Sequence, residues 1–423
     1  MGAVMVKRVL MIAYHFPPAS GSSGMQRTLS FSRDLPEHDW QPIILSIYPR
    51  AYERRCDDQL ADIGSETIVY RAFGLDTARH LALGGRYSRF LALPDRWVSW
   101  WLGAVPAGLR LIRRYRPQVL WSTYPIATAH LIGLTLHRLS GIPWIADFRD
   151  SMTEDNYPSN PRVRRAYRAV EAATVHRCTR AIFTAPGAVR MYAERYPERS
   201  DKTWVLIENG YEDSIFDTVS LPSLRDSPRP FRLVHSGVVY PNERDPRAFF
   251  EALASLKRSG QITAQSLQVV FRASGSEDYF RQLLREWGID DIVHFEPHIP
   301  YRGALAEMLT ADGLLILQAS NCNHQIPAKL YEYLRARRPI LGLTDSEGDT
   351  ARVLRQAGIE TVAPLDSAAA ITATLQDFLK QLQDGTAPVA SEAEIARSSR
   401  RSRVASLAEC LEETIATDLN FER

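Results

Sequence analysis

Cysteine is scarce in this chain of 423 residues, and Cys56, Cys178, Cys322 and Cys410 stand far apart. Four dispersed thiols build neither a disulfide framework nor the paired spacing of a zinc site, and they fit a reducing compartment. Long apolar runs are missing too. The longest, residues 97–109, is shorter than the ~20 residues that span a bilayer, and Gly103 and Pro106 interrupt it. Lys7 and Arg8 ahead of residues 9–16 imitate a secretory leader. That run is brief and passes into Pro17-Pro18 and a Gly/Ser loop instead of a cleavage site, so export is not expected. Net charge is nearly absent: 51 Lys and Arg against 49 Asp and Glu leave +2. No global field draws nucleic acid, and any polyanion or membrane contact has to come from a local patch. No Asp-x-Asp pair stands at a strand end, so no metal or other cofactor is expected, and no short-period repeat is present. These exclusions leave a cytoplasmic protein, soluble or peripheral at the inner face of a membrane.

What is present is globular in composition, 45% apolar, and too long for one hydrophobic core, so two domains are expected. Short apolar runs alternate with longer amphipathic ones, the pattern of parallel sheets with crossover helices. Strands are predicted at 9–14, 42–47, 67–69, 119–122, 144–148, 181–184 and 204–207. A second series falls at 232–235, 268–271, 292–295, 314–317, 340–343 and 361–363. Pro222, Pro228 and Pro230 break the periodicity between the two series. The division is therefore 1–215 for a first Rossmann-like domain, 216–230 for a linker and 231–397 for a second. The fold class is α/β, two doubly wound domains facing across a cleft, with ligands at the carboxyl ends of the strands.

The most informative stretch is 321–341. An apolar run, 314–317, delivers the chain to Ile326-Pro327-Ala328-Lys329-Leu330-Tyr331-Glu332, with Pro327 where proline is favoured, in the first turn of a helix. A helix N-terminus suits phosphate, and Lys329 adds a full charge. Glu332 would repel phosphates if it faced them and is better placed to accept from a diol such as a ribose. Phosphate beside ribose points to a nucleotide. The alternative is an ordinary α/β helix with a surface Lys and Glu.

Ile-Pro-x-Lys-Leu-x-Glu-Tyr-Leu followed by Arg338-Pro339-Ile340-Leu341 resembles the nucleotide-binding segment of glycosyltransferase family 4, retaining enzymes of the GT-B fold. In that family two glutamates separated by seven residues handle the donor, the first its sugar and the second its ribose. Glu332 matches the second, whereas His324 stands at the first, a departure from the pattern. Phe16-Pro17-Pro18 and the loop to Gly24-Met25-Gln26-Arg27 look like the family's opening, which implies donor contacts at Gly21, Gly24 and Arg27. Ser236-Gly237, with Arg244 beyond it, resembles the first loop of its second domain. By that likeness Gly237 permits close approach, and Arg244 and Lys329 neutralise the diphosphate without a metal, with Ile326 lining the donor. Asp147-Phe148-Arg149-Asp150 after Gly141-Ile142-Pro143-Trp144 is similar to envelope-polysaccharide members, and implies that Asp147, Arg149 and Asp150 face the acceptor. The bland reading there is a structural Arg–Asp pair. His130 is read as a core histidine, and residues 398–419 as a helix crossing back to the first domain.

The resemblance implies transfer of a sugar from a nucleotide-sugar donor to a glycan or lipid-linked acceptor in cell-envelope polysaccharide synthesis. The alternatives are a nucleotide-sugar epimerase on the related fold and a non-catalytic nucleotide-sugar-binding protein. One basic segment stands apart. Arg162, Arg164, Arg165, Arg168, Arg177 and Arg180 accompany Val163, Tyr167, Val170 and Thr174 at helical spacing. It is read first as a solvated face over a core-facing stripe and second as a dock for an anionic bilayer.

Overall fold

Thirteen parallel strands carry the architecture in this computed structural model, which describes residues 6–19, 23–219, 229–240, 243–275 and 277–421. In chain order the first seven are β1 (Lys7–Ile12), β2 (Trp40–Ile47), β3 (Ile68–Ala72), β4 (Val119–Thr123), β5 (Trp144–Arg149), β6 (Arg180–Phe183) and β7 (Trp204–Leu206). They form one sheet in the order β3-β2-β1-β4-β5-β6-β7. The remaining six are β8 (Phe231–Ser236), β9 (Leu267–Arg272), β10 (Val293–Glu296), β11 (Gly313–Leu317), β12 (Ile340–Leu343) and β13 (Val362–Ala363), ordered β10-β9-β8-β11-β12-β13. Each overlaps a run predicted from sequence. Strands buried on both faces by crossover helices read as unbroken apolar stretches, as in the fully buried Gly-Leu-Leu-Ile-Leu of β11.

The two sheets belong to two units, Met1–Asn209 with Arg400–Arg423, and Gly210–Ser399. The chain changes unit at 209/210, ahead of the expected linker, and most of that linker lies outside the described residues. Helix Asp213–Phe216 already belongs to the second unit, where Asp213 and Asp217 receive Arg335. Helix Arg400–Phe421 returns to the first unit. Val404, Leu407 and Leu411 bury against Val9, Met11, Trp40 and Trp121 on one face of the first sheet. Trp40 Nε1 donates to Glu412 at 2.8 Å, and Lys7 pairs with the same carboxylate at 2.6 Å.

On the opposite face, helix Trp100–Tyr115 packs beside helix Ala127–Ser140 and carries Trp100, Ala104 and Leu111 into the core. No described helix is long and apolar enough to cross a membrane. The basic segment is shorter than expected. Its helix is Pro161–Val175, N-capped by the Asn160 side chain, with Val170 and Thr174 inward. Arg177 lies beyond it, and Arg180 is buried in β6 beside Glu413 at 3.3 Å, because the helical period stops where Cys178 turns into the core.

Gly103 is where helix Trp100–Tyr115 touches neighbouring backbone, since a methyl there would stand inside contact distance of the Phe73 carbonyl oxygen. Helix propensity alone would favour alanine by ~1 kcal/mol. Gly103→Ala is expected instead to destabilise by about 1–3 kcal/mol through overpacking. Urea unfolding gives the sign that decides which effect dominates.

Candidate functional site

Sheets of this kind bind ligands beyond the carboxyl ends of the strands where the winding direction switches. In the second unit that point lies between β8 and β11. β8 ends at Ser236 and passes to Gly237, whose φ of 109° is a conformation that L side chains avoid. β11 leads through the turn Ser320–Cys322 to helix Lys329–Ala336, which starts two residues after Pro327. Gln318 holds the intervening loop from inside. Its Nε2 donates to the carbonyls of Cys322 and Gln325 at 2.6 and 2.9 Å, and its Oε1 accepts from Thr350 at 2.7 Å. Ile326 is buried beneath this loop.

Lys329, the first residue of the helix, donates to Nε2 of His235 at 3.2 Å. The imidazole is buried, and its Nδ1 lies 2.8 Å from the Leu315 carbonyl oxygen. A carbonyl can only accept, so Nδ1 carries the proton and Nε2 offers its lone pair to the ammonium. Burial, reinforced by the charges of Lys329 and Arg244, holds His235 far below the usual imidazole range. Burial likewise pulls Lys329 down to about 7, with Arg244 adding to the fall and Glu332 opposing it. A Cβ at position 237 would stand 3.0 Å from this ammonium, so the glycine leaves room for the lysine.

Arg244 donates to the Val238 carbonyl at 2.9 Å and lies 5.5 Å from the centre of the Tyr240 ring. Glu332 accepts from the Tyr301 hydroxyl at 2.5 Å. The next residue ties the helix to the strand, Tyr333 Oη accepting from the Ser236 N–H at 2.9 Å. Gly237, Arg244, Lys329 and Glu332 therefore flank one switch point. His324 is half-buried at the loop, its Nε2 3.5 Å from Gln325 Nε2. Neighbouring Asn323 donates to Asp345 at 2.7 Å.

In the first unit the switch lies between β1 and β4. Gly21 falls outside the described residues, and Gly24 is buried in the first turn of helix Ser23–Asp34. Arg27, one turn further, is buried. Its Nε and Nη2 donate to the two oxygens of Asp147 at 3.1 Å each, while Nη1 and Nη2 donate to the carbonyls of Glu208 and Ile207 at 3.0 and 2.9 Å. Asp147 also accepts from the Thr123 hydroxyl at 3.0 Å and is fully buried. The two charges, expected to meet the donor and the acceptor, are paired here with each other and with neighbouring protein groups.

β5 is irregular between Asp147 and Arg149, and Arg149 takes a φ of 63°, left-handed for a side-chain-bearing residue. Such a conformation costs on the order of 1–3 kcal/mol and clusters where function requires it. Arg149 is buried and donates to the Tyr124 carbonyl at 3.4 Å, and burial lowers its pKa against the opposing pull of Asp150 and Asp147. Asp150 is half-buried, its backbone N–H donating to the Phe148 carbonyl at 2.7 Å. His15 follows β1, and burial with the nearby Arg149 charge pushes it down to about 4. His130 is a core residue, its Nδ1 2.8 Å from Ser122 Oγ and its pKa pulled to about 3 by burial.

Three site residues escape the sequence reading. His15 and His235 each stand at the carboxyl end of the strand beside a switch point, a position that strand assignment alone could have marked. Tyr301 lies 31 residues from Glu332 in sequence, and no periodicity links them.

Residues 25–210 match the family described as glycosyl transferase 4-like domain. No curated protein sequence matches the chain. Among solved structures, the chain is similar to WaaG, a glycosyltransferase involved in lipopolysaccharide biosynthesis, with a TM-score of 0.62, 13% identity and 96% and 99% of the two chains covered. Sucrose-phosphate synthase from Thermosynechococcus elongatus gives 0.60 at 14% identity, covering 98% of each chain. A putative UDP-N-acetylglucosamine 2-epimerase from Listeria monocytogenes gives 0.57 at 12%, covering 96% and 97%. These likenesses establish the two-domain GT-B fold.

A diphosphate at this site would favour the charged ammonium of Lys329. Above about pH 7 the free protein has lost that proton and has to recover it on binding, so affinity falls as pH rises, whereas below it Lys329 adds no slope. Titrating the tightest of UDP, GDP and ADP between about pH 6 and 9 should show this slope, and Lys329→Met should remove it. In the first unit, Asp147→Asn leaves Arg27 buried without its counter-charge. A loss of about 3–5 kcal/mol in denaturant unfolding is expected.

Proposed function

With residues 25–210 a glycosyl transferase 4-like domain and the whole chain a GT-B fold, we propose that this protein moves a sugar from a nucleoside-diphosphate donor to a glycan or lipid-linked acceptor. In this reading it retains the anomeric configuration, needs no metal and works on the cytoplasmic side of the envelope in polysaccharide synthesis. The observation that carries it is the group at the second switch point, where Lys329 rests on neutral His235 over Gly237, with Arg244 and a tyrosine-held Glu332 alongside. Two cations next to one carboxylate match the charge distribution of a diphosphate joined to a ribose.

The chemistry follows from those charges. The bond between the anomeric carbon and the diphosphate oxygen breaks as the acceptor oxygen forms the glycosidic bond. Lys329 and Arg244 stabilise the negative charge that develops on the leaving group, where preorganised electrostatics contribute most. On a front-face path the acceptor proton passes to the departing phosphate, and no protein carboxylate has to act as nucleophile. The enclosure of Asp147 by Arg27 and Thr123 supports that reading. Asp150, with Arg149 and His15, is then assigned to the acceptor. His324 stands at the family's sugar-contacting position, where imidazole can donate as well as accept, so the preferred donor differs from that of Glu-bearing enzymes.

The related fold also supports epimerases, and requirement for an acceptor separates the two activities. Sugar should turn over from a pooled set of nucleotide sugars only when an acceptor extract is added; conversion without acceptor would identify an epimerase, and no conversion a binding protein. Glu332→Gln should weaken nucleoside-diphosphate binding by about 1.5–3 kcal/mol, the scale of a charged hydrogen bond lost, with unfolding unchanged. Undiminished affinity in calorimetry would remove Glu332 from the ribose.

A further inference from the structure

Two sequence-distant segments of the first unit form one surface that the transfer chemistry does not use. Residues 77–94 contain Arg79, Arg86 and Arg89, residues 156–170 contain Arg162, Arg164, Arg165 and Arg168, and neither segment holds an Asp or Glu. In a chain with almost balanced charge this is a concentrated cationic patch. It is also apolar. Leu83 and Phe90 are 88% and 77% exposed, and Leu81, Tyr87 and Leu91 are exposed beside them. Five large apolar side chains in eleven consecutive residues left in water are an unusual burden for a folded surface.

The arrangement is held from below. Asp95 is buried and accepts from the Thr128 N–H and hydroxyl at 2.8 and 2.9 Å, and Thr77 donates its hydroxyl to the Leu91 carbonyl at 2.8 Å. Asp76 caps the short helix Thr77–His80 and stands 3.5 Å from Arg96, whose guanidinium lies 4.5 Å from the Trp97 ring centre. Between the apolar loop and the start of helix Pro161–Val175 is a cavity of about 360 Å³ lined by Tyr87, Phe90, Leu93, Arg162, Val163 and Tyr167. The cavity joins the two segments. Arg89 and Arg162 line it, and Arg86, Arg165 and Arg168 are exposed on the same two segments.

We propose that this face docks the protein on an anionic lipid bilayer, Leu83 and Phe90 entering the boundary between headgroups and acyl chains while the arginines meet lipid phosphates. Apolar insertion and cationic attraction are the two contributions that hold amphipathic surfaces on membranes, and the second requires anionic lipid. Neither depends on the reaction, so the inference stands apart from the transferase reading.

The test is sedimentation of the full chain with phosphatidylcholine vesicles and with vesicles of equal parts phosphatidylcholine and phosphatidylglycerol. Binding should require phosphatidylglycerol and be released by salt. The Leu83→Ser/Phe90→Ser double variant and the Arg162→Glu/Arg165→Glu/Arg168→Glu triple variant should each lower the partition coefficient by about tenfold or more. The corresponding triple arginine-to-lysine variant should retain it, which separates charge from a folding defect in the glutamate variant. No binding to the mixed vesicles, equal binding to both lipids, or binding that survives the double and the glutamate variants overturns the proposal. Lipid-free oligomers that disappear on Leu83→Ser/Phe90→Ser would assign the apolar stretch to a second copy of the chain and overturn it as well.

Discussion

The buried pair of Arg27 and Asp147 is the constraint on which the first unit turns. One guanidinium joins helix Ser23–Asp34, the carboxyl end of β5 and the carbonyls that follow β7, and Thr123 at the end of β4 completes the shell. Burying two charges is expensive, and geometry this complete is what compensates it. With Asp147 fixed inward, the irregularity of β5 and the left-handed backbone of Arg149 bring the following arginine and Asp150 to the strand end. The second unit solves the opposite problem. Its half-buried lysine, Lys329, rests on a neutral imidazole instead of a carboxylate. A neutral partner orients the ammonium without cancelling its charge, which stays available to an incoming anion.

Much of this was legible in the chain, for physical reasons that differ by feature. β1 and β11 read as strands because a parallel sheet buried on both faces favours continuous apolar runs such as 9–12 and 314–317. Lys329 and Glu332 could be placed in one helical turn because three-residue spacing puts side chains on one face. The partnership of Arg27 and Asp147 was not legible. They lie 120 residues apart, and a charge destined for the interior looks in sequence like one destined for a ligand. Arg180 was misplaced for a related reason: helical periodicity continued through Val175, and the turn at Cys178 that starts a strand carries no proline or glycine to mark it. His235 directly precedes the Ser236-Gly237 of the recognised loop, but its role depends on the carbonyl of Leu315, a backbone atom of the neighbouring strand, and sequence patterns do not show such contacts.

The path of the chain has a consequence for how the protein is made. The second unit is inserted within the first, and its two ends meet where Tyr211 bridges Ser399. Helix Arg400–Phe421, which covers Val9, Met11, Trp40 and Trp121, is synthesised only after all of Gly210–Ser399. Until then one face of the first sheet has no cover, and nascent chains carry an apolar surface on a domain whose strands are already complete. The last helix is therefore a closing element for the earliest part of the polypeptide. Its absence would be felt at Trp40 and Trp121, far upstream in sequence, as aggregation during synthesis.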